Sequence, residues 1–192
     1  MDIAAFRAAL GDIPVQDNPR IVQQKSRDHY WYSPRLKQQL EGVTAEIVVS
    51  PRSVDEVVTV LREAFKYDVP VTPRGAGTGN YGQAMPLSGG AMLNLMNLNK
   101  VIKIEQDRVR AEAGVILEQL DEQTIHAVNG ELRFHPSTYR MASLGGFIAG
   151  GSASQVTTFR PRMLPKLRKP PQRIEPTPPE PPAMKPPSEA MR

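Results

Sequence analysis

The residues best suited to chemistry in this chain form a glycine-rich stretch over residues 75–90, where six of sixteen positions are glycine. Gly75, Gly77 and Gly79 occupy alternate positions. Such spacing allows positive φ angles and lets consecutive backbone N–H groups converge on one point. A loop of this kind can hold a phosphate group without a lysine. The alternative interpretation is a mobile surface loop that binds nothing.

Known nucleotide-binding motifs explain this stretch only in part. The P-loop motif requires a Gly-Lys pair, and the sequence contains none. The dinucleotide pattern G-x-G-x-x-G does occur, at Gly77, Gly79 and Gly82. That motif also needs a helix to begin there, so that the pyrophosphate meets the helix N-terminus. Residues 83–90 contain Pro86 and end in two glycines, so they cannot continue a helix, and we retain only the phosphate-binding loop.

A second cluster of small residues occupies residues 143–151, after a loop over residues 134–138. Small residues allow the backbone to lie against a flat ligand. Two glycine-rich loops that bracket one α+β unit favour an extended ligand with a charged middle.

Composition excludes several other classes of function. The chain of 192 residues has no cysteine, and His29, His126 and His135 are too far apart for a zinc-binding spacing, so we expect no metal site. No apolar run approaches the roughly 20 residues needed to span a bilayer. We therefore expect a soluble, cytoplasmic protein with no membrane span.

The positive charge of the chain lies in its C-terminal part. Residues 1–151 hold 16 Lys and Arg against 17 Asp and Glu, whereas residues 152–192 hold 8 against 3. Eleven of the 19 prolines also lie after residue 160, and all 14 glycines lie before residue 152. A nucleic-acid surface needs basic residues clustered on a folded face, so we expect no nucleic-acid partner.

The segments around the glycine loop predict the elements that position it. Residues 45–49 and 69–72 are apolar strand candidates. Between them Ser53 and Glu56 form a capping box that begins a helix, with an apolar stripe of Val57, Val60, Leu61 and Ala64. This strand-helix-strand unit predicts parallel strands with a right-handed crossover.

The remaining elements are shorter. Residues 1–10 predict a helix, and residues 12–40 predict an irregular region. Its aromatic cluster at 28–32 could stack on a ligand, but we expect it to pack onto the core. Residues 91–95, 101–104 and 109–113 predict three sequential strands that pair antiparallel, followed by a helix over 116–128.

In these stretches the sequence resembles the FAD-binding domain shared by vanillyl-alcohol oxidase and p-cresol methylhydroxylase, which also occurs in glycolate oxidase and D-lactate dehydrogenase flavoproteins. The resemblance is carried, in order, by Val-Val-Ser-Pro-Arg-Ser-Val-Asp-Glu-Val at 48–57, Val-Pro-Val-Thr-Pro-Arg-Gly-Ala-Gly-Thr-Gly at 69–79, Pro-Leu-Ser-Gly-Gly at 86–90, Ala-Glu-Ala-Gly-Val at 111–115 and Ser-Leu-Gly-Gly-Phe-Ile-Ala-Gly-Gly at 143–151.

The resemblance implies an α+β fold of the p-cresol methylhydroxylase type, with the first subdomain and part of the second. It implies that the glycine loop holds the FAD pyrophosphate and that the second loop lines the flavin and its ribityl chain. The cofactor-binding residues so implied are Pro73, Arg74, Gly75, Ala76, Gly77, Thr78, Gly79, Pro136, Ser137, Ser143, Gly145 and Gly146. Some relatives attach FAD through a histidine in or near the loop. This loop has none, so FAD is expected to be non-covalent.

The resemblance ends near residue 152, which divides the chain into an N-terminal segment (1–43), an incomplete FAD-binding domain (44–152) and a basic, proline-rich tail (153–192). The tail lacks an apolar period, so we expect it to be disordered. It is interpreted as a shifted reading frame or truncated product, as a linker without a partner, or as a polyproline ligand through Arg173, Pro176 and Pro179.

The function implied is that of an FAD-binding oxidoreductase fragment, whose relatives oxidise small 2-hydroxy acids or alcohols by hydride transfer to the flavin. The sequence indicates no catalytic base, and we expect the fragment to be inactive alone. Two alternatives remain. The chain is either a non-catalytic adaptor that acts through its tail, or a subunit whose FAD site a separate chain completes.

Overall fold

The computed structural model describes residues 1–29, 34–150 and 159–161. These residues belong to the first of two units, Met1–Arg162, and the second unit, Met163–Arg192, lies outside them. Tyr30, Trp31 and Tyr32 of the aromatic cluster also lie outside the described residues, as does most of the predicted tail.

The glycine loop extends from a four-stranded sheet. Its strands are β1 (Val15–Gln16), β2 (Ile47–Val49), β3 (Val71–Arg74) and β4 (Ala91–Asn94), in the order β1-β2-β4-β3. β2, β4 and β3 are parallel, with Ala91 level with both Ile47 and Val71, and β1 pairs antiparallel with β2. The parallel arrangement predicted for β2 and β3 is confirmed, although β4 lies between them.

The prediction that β4 pairs antiparallel with the strands that follow it is wrong. All four residues of β4 are buried, as are all three of β2. A strand with side chains buried on both faces belongs in the middle of a parallel sheet, covered on each side. The long connection over residues 75–90 makes this possible, because it returns the chain to the edge where β2 and β3 begin.

Two helices cover one face of this sheet. α1 (Ile3–Ala9) contributes Phe6, and α4 (Val54–Lys66) contributes Val60 and Ala64, to a core shared with β2 and β4. The Ser53 side chain accepts the Glu56 N–H at 3.1 Å, as predicted. The Glu56 carboxylate accepts the N–H of Arg52 at 2.6 Å, one residue before the predicted partner. Leu61 was placed in the buried stripe but is 47% exposed.

The region over residues 12–40, predicted to be irregular, contains two short helices. They are α2 (Pro19–Lys25) and α3 (Pro34–Leu40). Asn18 caps α2, and Pro19 occupies a position in the first turn where a missing N–H has no effect. Each of these helices has only seven residues, which is too short for an apolar period to be recognised in the sequence. For α2, the only sequence signals were Asn18 and Pro19 at its start.

The second half of the described chain builds its own core. A hairpin of β5 (Val101–Ile104) and β6 (Val109–Ala111) leads to α5 (Leu117–Val128), and β7 (Gly130–Leu132) pairs antiparallel with β8 (Phe159–Pro161). β8 lies beyond the boundary that was predicted at residue 152. α6 (Leu144–Ala149) completes this half, and its Phe147 packs with Leu117, Leu120 and Leu132. Within the described part of the chain, no helix has both the length and the apolar composition to cross a bilayer.

Candidate functional site

The glycine loop begins where β3 ends, at a buried arginine. Arg74 is the last residue of β3 and is only 9% exposed. Its guanidinium lies directly against Gly77, where an added Cβ would be 1.9 Å from the Arg74 Nη2 atom. Gly77 also has a φ angle of +73°, which residues with side chains rarely adopt. Gly77 is therefore required both by the backbone turn and by the charge packed against it.

The turn at Gly77 leaves several backbone donors available. Within the described residues, the N–H groups of Gly77, Thr78 and Gly79 have no hydrogen-bond acceptor. These three residues are half-buried, so their N–H groups are available to a ligand that accepts hydrogen bonds. No helix follows the loop, in agreement with our rejection of the dinucleotide motif.

A serine from the second small-residue cluster joins the two loops. The Ser143 Oγ atom accepts the N–H of Ala76 at 3.2 Å, and Ser143 is 2% exposed. The approach is close enough to require glycine at position 75, where a Cβ would be 2.1 Å from that oxygen. The sequence predicted that both clusters contribute to one site, and the structure brings them into direct contact.

The second loop is held by backbone hydrogen bonds to the segment before α5. The N–H groups of Leu144 and Gly145 donate to the carbonyls of Val115 and Ala113 at 2.8 and 2.7 Å. A Cβ at Gly145 would be 2.7 Å from the Cβ of Ala113. Gly145 therefore serves the packing of this loop against residues 113–115.

The two loops enclose a cavity of about 450 Å³, within the usual range for small-molecule sites. Eleven of the twelve predicted cofactor-binding residues line it, and the exception is Gly145, which faces Ala113. Ten further lining residues were not named as site residues from the sequence, although most of them lie in or beside the two loops. They are Asp28, Asn80, Tyr81, Gln83, Ala84, Thr138, Ala142, Phe147, Ala149 and Gly150.

Asp28 is the most informative of these missed residues. It belongs to the aromatic cluster that we expected to pack onto the core rather than to contact a ligand, yet its carboxylate accepts the N–H of Gly82 at 2.9 Å. The neighbouring His29 donates its N–H to the carbonyl of Gly79 at 2.9 Å. Acidic and basic residues inside an otherwise aromatic run were the only signal in the sequence for this contact.

Two basic side chains, Arg74 and Lys25, lie close together next to the glycine loop. Burial lowers the pKa of the Arg74 guanidinium, while the Asp28 carboxylate acts to raise it. The pKa of Lys25 is also lowered, first by burial and then by the charge of Arg74. The Nη1 atom of Arg74 donates to the carbonyl of Arg27 at 2.6 Å, but its buried Nε has no partner among the described residues. The positive charge of Arg74 and the three N–H groups without an acceptor among the described residues fit an anion such as a diphosphate.

His126 and His135 are not among the residues that line this cavity. His126 is exposed on α5. His135 stacks on Tyr139 with ring centroids 4.5 Å apart, and its Nε2 lies 3.1 Å from the carbonyl oxygen of Leu132. Within residues 1–29, 34–150 and 159–161, no three His, Cys, Asp or Glu side chains are arranged to bind a metal.

Comparison with known proteins gives a family match over residues 45–160, to a family described as an FAD binding domain. The chain is 31% identical over 108 residues to the glycolate oxidase subunit GlcD of Bacillus subtilis, covering 54% of this chain and 22% of that protein. It is 32% identical over 107 residues to D-lactate dehydrogenase of Anaerostipes hadrus, with the same two coverages.

Solved structures give the same fold at lower sequence identity. The chain matches p-cresol methylhydroxylase with a TM-score of 0.62 at 21% identity, over 76% of this chain and 28% of that one. It matches alkyldihydroxyacetonephosphate synthase with a TM-score of 0.66 at 20% identity, over 82% of this chain and 32% of that one. The p-cresol methylhydroxylase type of fold predicted from the sequence is confirmed. The chain spans about a fifth of the two curated relatives named above, at 22% of each.

Proposed function

The chain belongs to the FAD binding domain family, and on that premise we propose that its cavity holds FAD non-covalently, as the cofactor site of an oxidoreductase. The observation that carries this proposal is the glycine loop, where three unpaired N–H groups lie beside a buried guanidinium. FAD contains a diphosphate, which is the kind of anion that such donors and charge fit.

Each wall of the cavity has a separate role in this proposal. The loop over residues 74–79 binds the pyrophosphate through its backbone, with the charge of Arg74 beneath it. Pro136, Ser137, Ser143 and Gly146, which line the opposite wall, contact the ribityl chain and flavin. Gly145 contributes indirectly, because its N–H donates a hydrogen bond to the Ala113 carbonyl and so holds the second loop in place.

Two observations support non-covalent binding. Among the described residues that line the cavity there is no histidine, and the sequence contains no cysteine. The described lining residues therefore include no histidine of the kind through which some relatives attach FAD.

The proposed reaction is the oxidation of a small 2-hydroxy acid or alcohol, in line with the glycolate oxidase and D-lactate dehydrogenase relatives. Bound FAD would supply the redox chemistry by accepting a hydride equivalent from the substrate carbon. The residues of this chain bind and orient the cofactor and exclude water from its diphosphate. We assign none of them as the base that takes the hydroxyl proton.

We further propose that the 192-residue chain does not turn over substrate by itself and needs further polypeptide to cover the flavin, in a longer chain or a partner subunit. Gly146, Ala149 and Gly150 line the cavity yet are exposed, so a ligand against them faces solvent on that side. The adaptor alternative and the predicted reading-frame shift concern residues outside the described part of the chain and stay predictions. The cytoplasmic location also stays a prediction.

A titration of the full chain with FAD tests this function. We expect saturable quenching of flavin fluorescence at one FAD per chain, loss of most of the flavin on desalting, and no reduction of bound flavin by glycolate or D-lactate. Arg74→Met should weaken binding about tenfold or more, since it removes a charged group beside the diphosphate. Arg108→Met makes the same change at a 75% exposed side chain and should bind as wild type.

Two results would contradict the proposal. Absence of saturable binding, or equal affinity in the two arginine variants, would exclude the cofactor site as described. A chain that stays yellow after desalting and is bleached by substrate would retain the site but refute the requirement for further polypeptide.

A further inference from the structure

A short segment before the family-matched residues holds the glycine loop from outside. This segment, residues 26–29, follows α2 and is called the strap below. The family match begins at residue 45, so the strap is not part of the stretch by which the family was identified.

The strap is firmly anchored on its own side. Ser26 is fully buried, and its hydroxyl donates to the carbonyl of Val22 at 2.8 Å and accepts the N–H of Ala45 at 3.0 Å. The Arg27 guanidinium donates to three backbone carbonyls within residues 40–43, including that of Glu41 at 2.6 Å. Because α2 and the segment before β2 both hold it, the strap presents Asp28 and His29 from a fixed position.

On its other side the strap contacts the loop at three points. The carbonyl of Arg27 accepts from Arg74 Nη1 at 2.6 Å, and the Asp28 carboxylate accepts the N–H of Gly82 at 2.9 Å. The N–H of His29 donates to the carbonyl of Gly79 at 2.9 Å. These contacts hold the start and the far end of the stretch that carries the unpaired donors, and they leave those donors free.

We propose that Asp28 is a positioning residue for the cofactor loop. Its carboxylate holds the loop by accepting the Gly82 N–H, and it compensates the buried charge of Arg74. A glycine-rich loop has much conformational freedom, and ordering it costs conformational entropy. If the loop is ordered before the ligand binds, this entropy cost does not reduce the affinity for the ligand. The carboxylate is also a negative charge in a cavity proposed for a diphosphate. Its presence there is explained if its hydrogen bond to the loop outweighs the repulsion. This inference rests on the proposed function for its ligand, although the contact itself does not.

Hydrogen exchange of the chain without FAD tests the contact, and FAD titration tests its consequence. Asp28→Ala should speed exchange of the Gly82 amide about tenfold or more, as expected for a lost bond to a charged acceptor, and weaken FAD binding by a similar factor. Asp28→Asn keeps an oxygen that can accept the N–H, so it should recover part of both effects. Asp107→Ala, at a 79% exposed side chain, is the matched control and should change neither.

The outcomes separate this inference from the proposed function. Faster Gly82 exchange in Asp28→Ala, in a chain that binds no FAD, would support the positioning role and refute the cofactor. Unchanged exchange, or FAD binding as tight as or tighter than wild type in Asp28→Ala, would overturn the inference. If circular dichroism shows that Asp28→Ala does not fold, Asp28→Asn carries the test, and Gly82 exchange equal to wild type in that variant would overturn it.

Discussion

The contact between the two loops can be tested at Gly75, which carries no functional group. An alanine there would place its Cβ 2.1 Å from the Ser143 Oγ and 3.2 Å from the Ser143 Cβ. Carbon and oxygen atoms do not approach to 2.1 Å without a bond, so the hydroxyl must rotate away and release the N–H of Ala76. Gly75→Ala therefore separates the glycine loop from the second loop without touching the cavity charge.

The size of the effect follows from the groups involved. A buried hydroxyl and an N–H that lose their partner destabilise by about 1–3 kcal/mol. Replacing glycine by alanine at a compatible backbone conformation stabilises by about 0.4–1 kcal/mol, which offsets part of this loss. Gly75 does not have a positive φ angle in the left-handed region. The net loss of about 1–2 kcal/mol corresponds to a fall in Tm of about 2–8 °C for a folded unit of this size.

A double-mutant cycle isolates the contact. In a Ser143→Gly background the clash disappears, so Gly75→Ala should be neutral or stabilising by up to about 1 kcal/mol. Glycine is tolerated at the N-cap, and Ser143 makes no capping hydrogen bond to α6. Tm by circular dichroism gives the stability, and FAD titration of the same variants gives the effect on the site.

Gly42→Ala is the matched control. Gly42 has nothing within 4 Å of an added Cβ and no positive φ angle, so this variant should melt with wild type or slightly above it. Equal stability of Gly75→Ala and Gly42→Ala, or the same effect of Gly75→Ala in both backgrounds, would refute the loop contact.

Two further predictions concern elements outside the cavity. The Tyr139 hydroxyl donates to the Asp121 carboxylate at 2.9 Å, and burial followed by this bond raises the pKa of Tyr139. A tyrosine in the unfolded chain ionises at about pH 10, whereas the folded Tyr139 keeps its proton there, so the free energy of unfolding should fall as the pH rises above 10. In Tyr139→Phe, urea titrations should show a smaller decrease of the unfolding free energy with pH. Ser53→Ala should cost about 1 kcal/mol in the same assay through loss of the α4 cap. Ser88→Ala, at an exposed loop position, should leave the urea midpoint unchanged.

Local signals in the sequence predicted the elements around the site. The Ser53 cap, the glycines of the loop and the short apolar strands each act over a few residues. The cap is found where predicted, Glu56 bonds one residue earlier than predicted, and β2 and β3 overlap the predicted strands. The helix predicted over residues 116–128 ends at Val128, where Asn129 follows with a φ angle of +51°. Such signals predict which residues turn, pair or cap, and two loops predicted in this way supplied eleven lining residues.

Long-range features could not be read from these signals. The position of β4 between β2 and β3 depends on burial from both faces, which an isolated apolar run of four residues does not reveal. The role of Asp28 depends on a contact 54 residues away in the chain, and no spacing rule connects it to Gly82. That Gly145 packs against Ala113 and does not line the cavity likewise depends on a contact that its motif does not reveal.

The connection between β3 and β4 explains why the site lies where it does. Adjacent parallel strands need a crossover of a dozen or more residues, usually a helix. Here residues 75–90 make that crossover without a helix. The N–H groups of Met85, Leu87 and Gly89 donate to carbonyls of the crossover itself, whereas those at 77–79 have no acceptor among the described residues. The loop re-enters the sheet at Gly89 and Gly90, both with positive φ angles, where the Gly90 N–H donates to the Glu46 carboxylate. A helical crossover would satisfy its own backbone. This one leaves donors at the carboxyl end of β3, and the connection that returns the chain to the sheet therefore also supplies the wall that we propose binds the diphosphate.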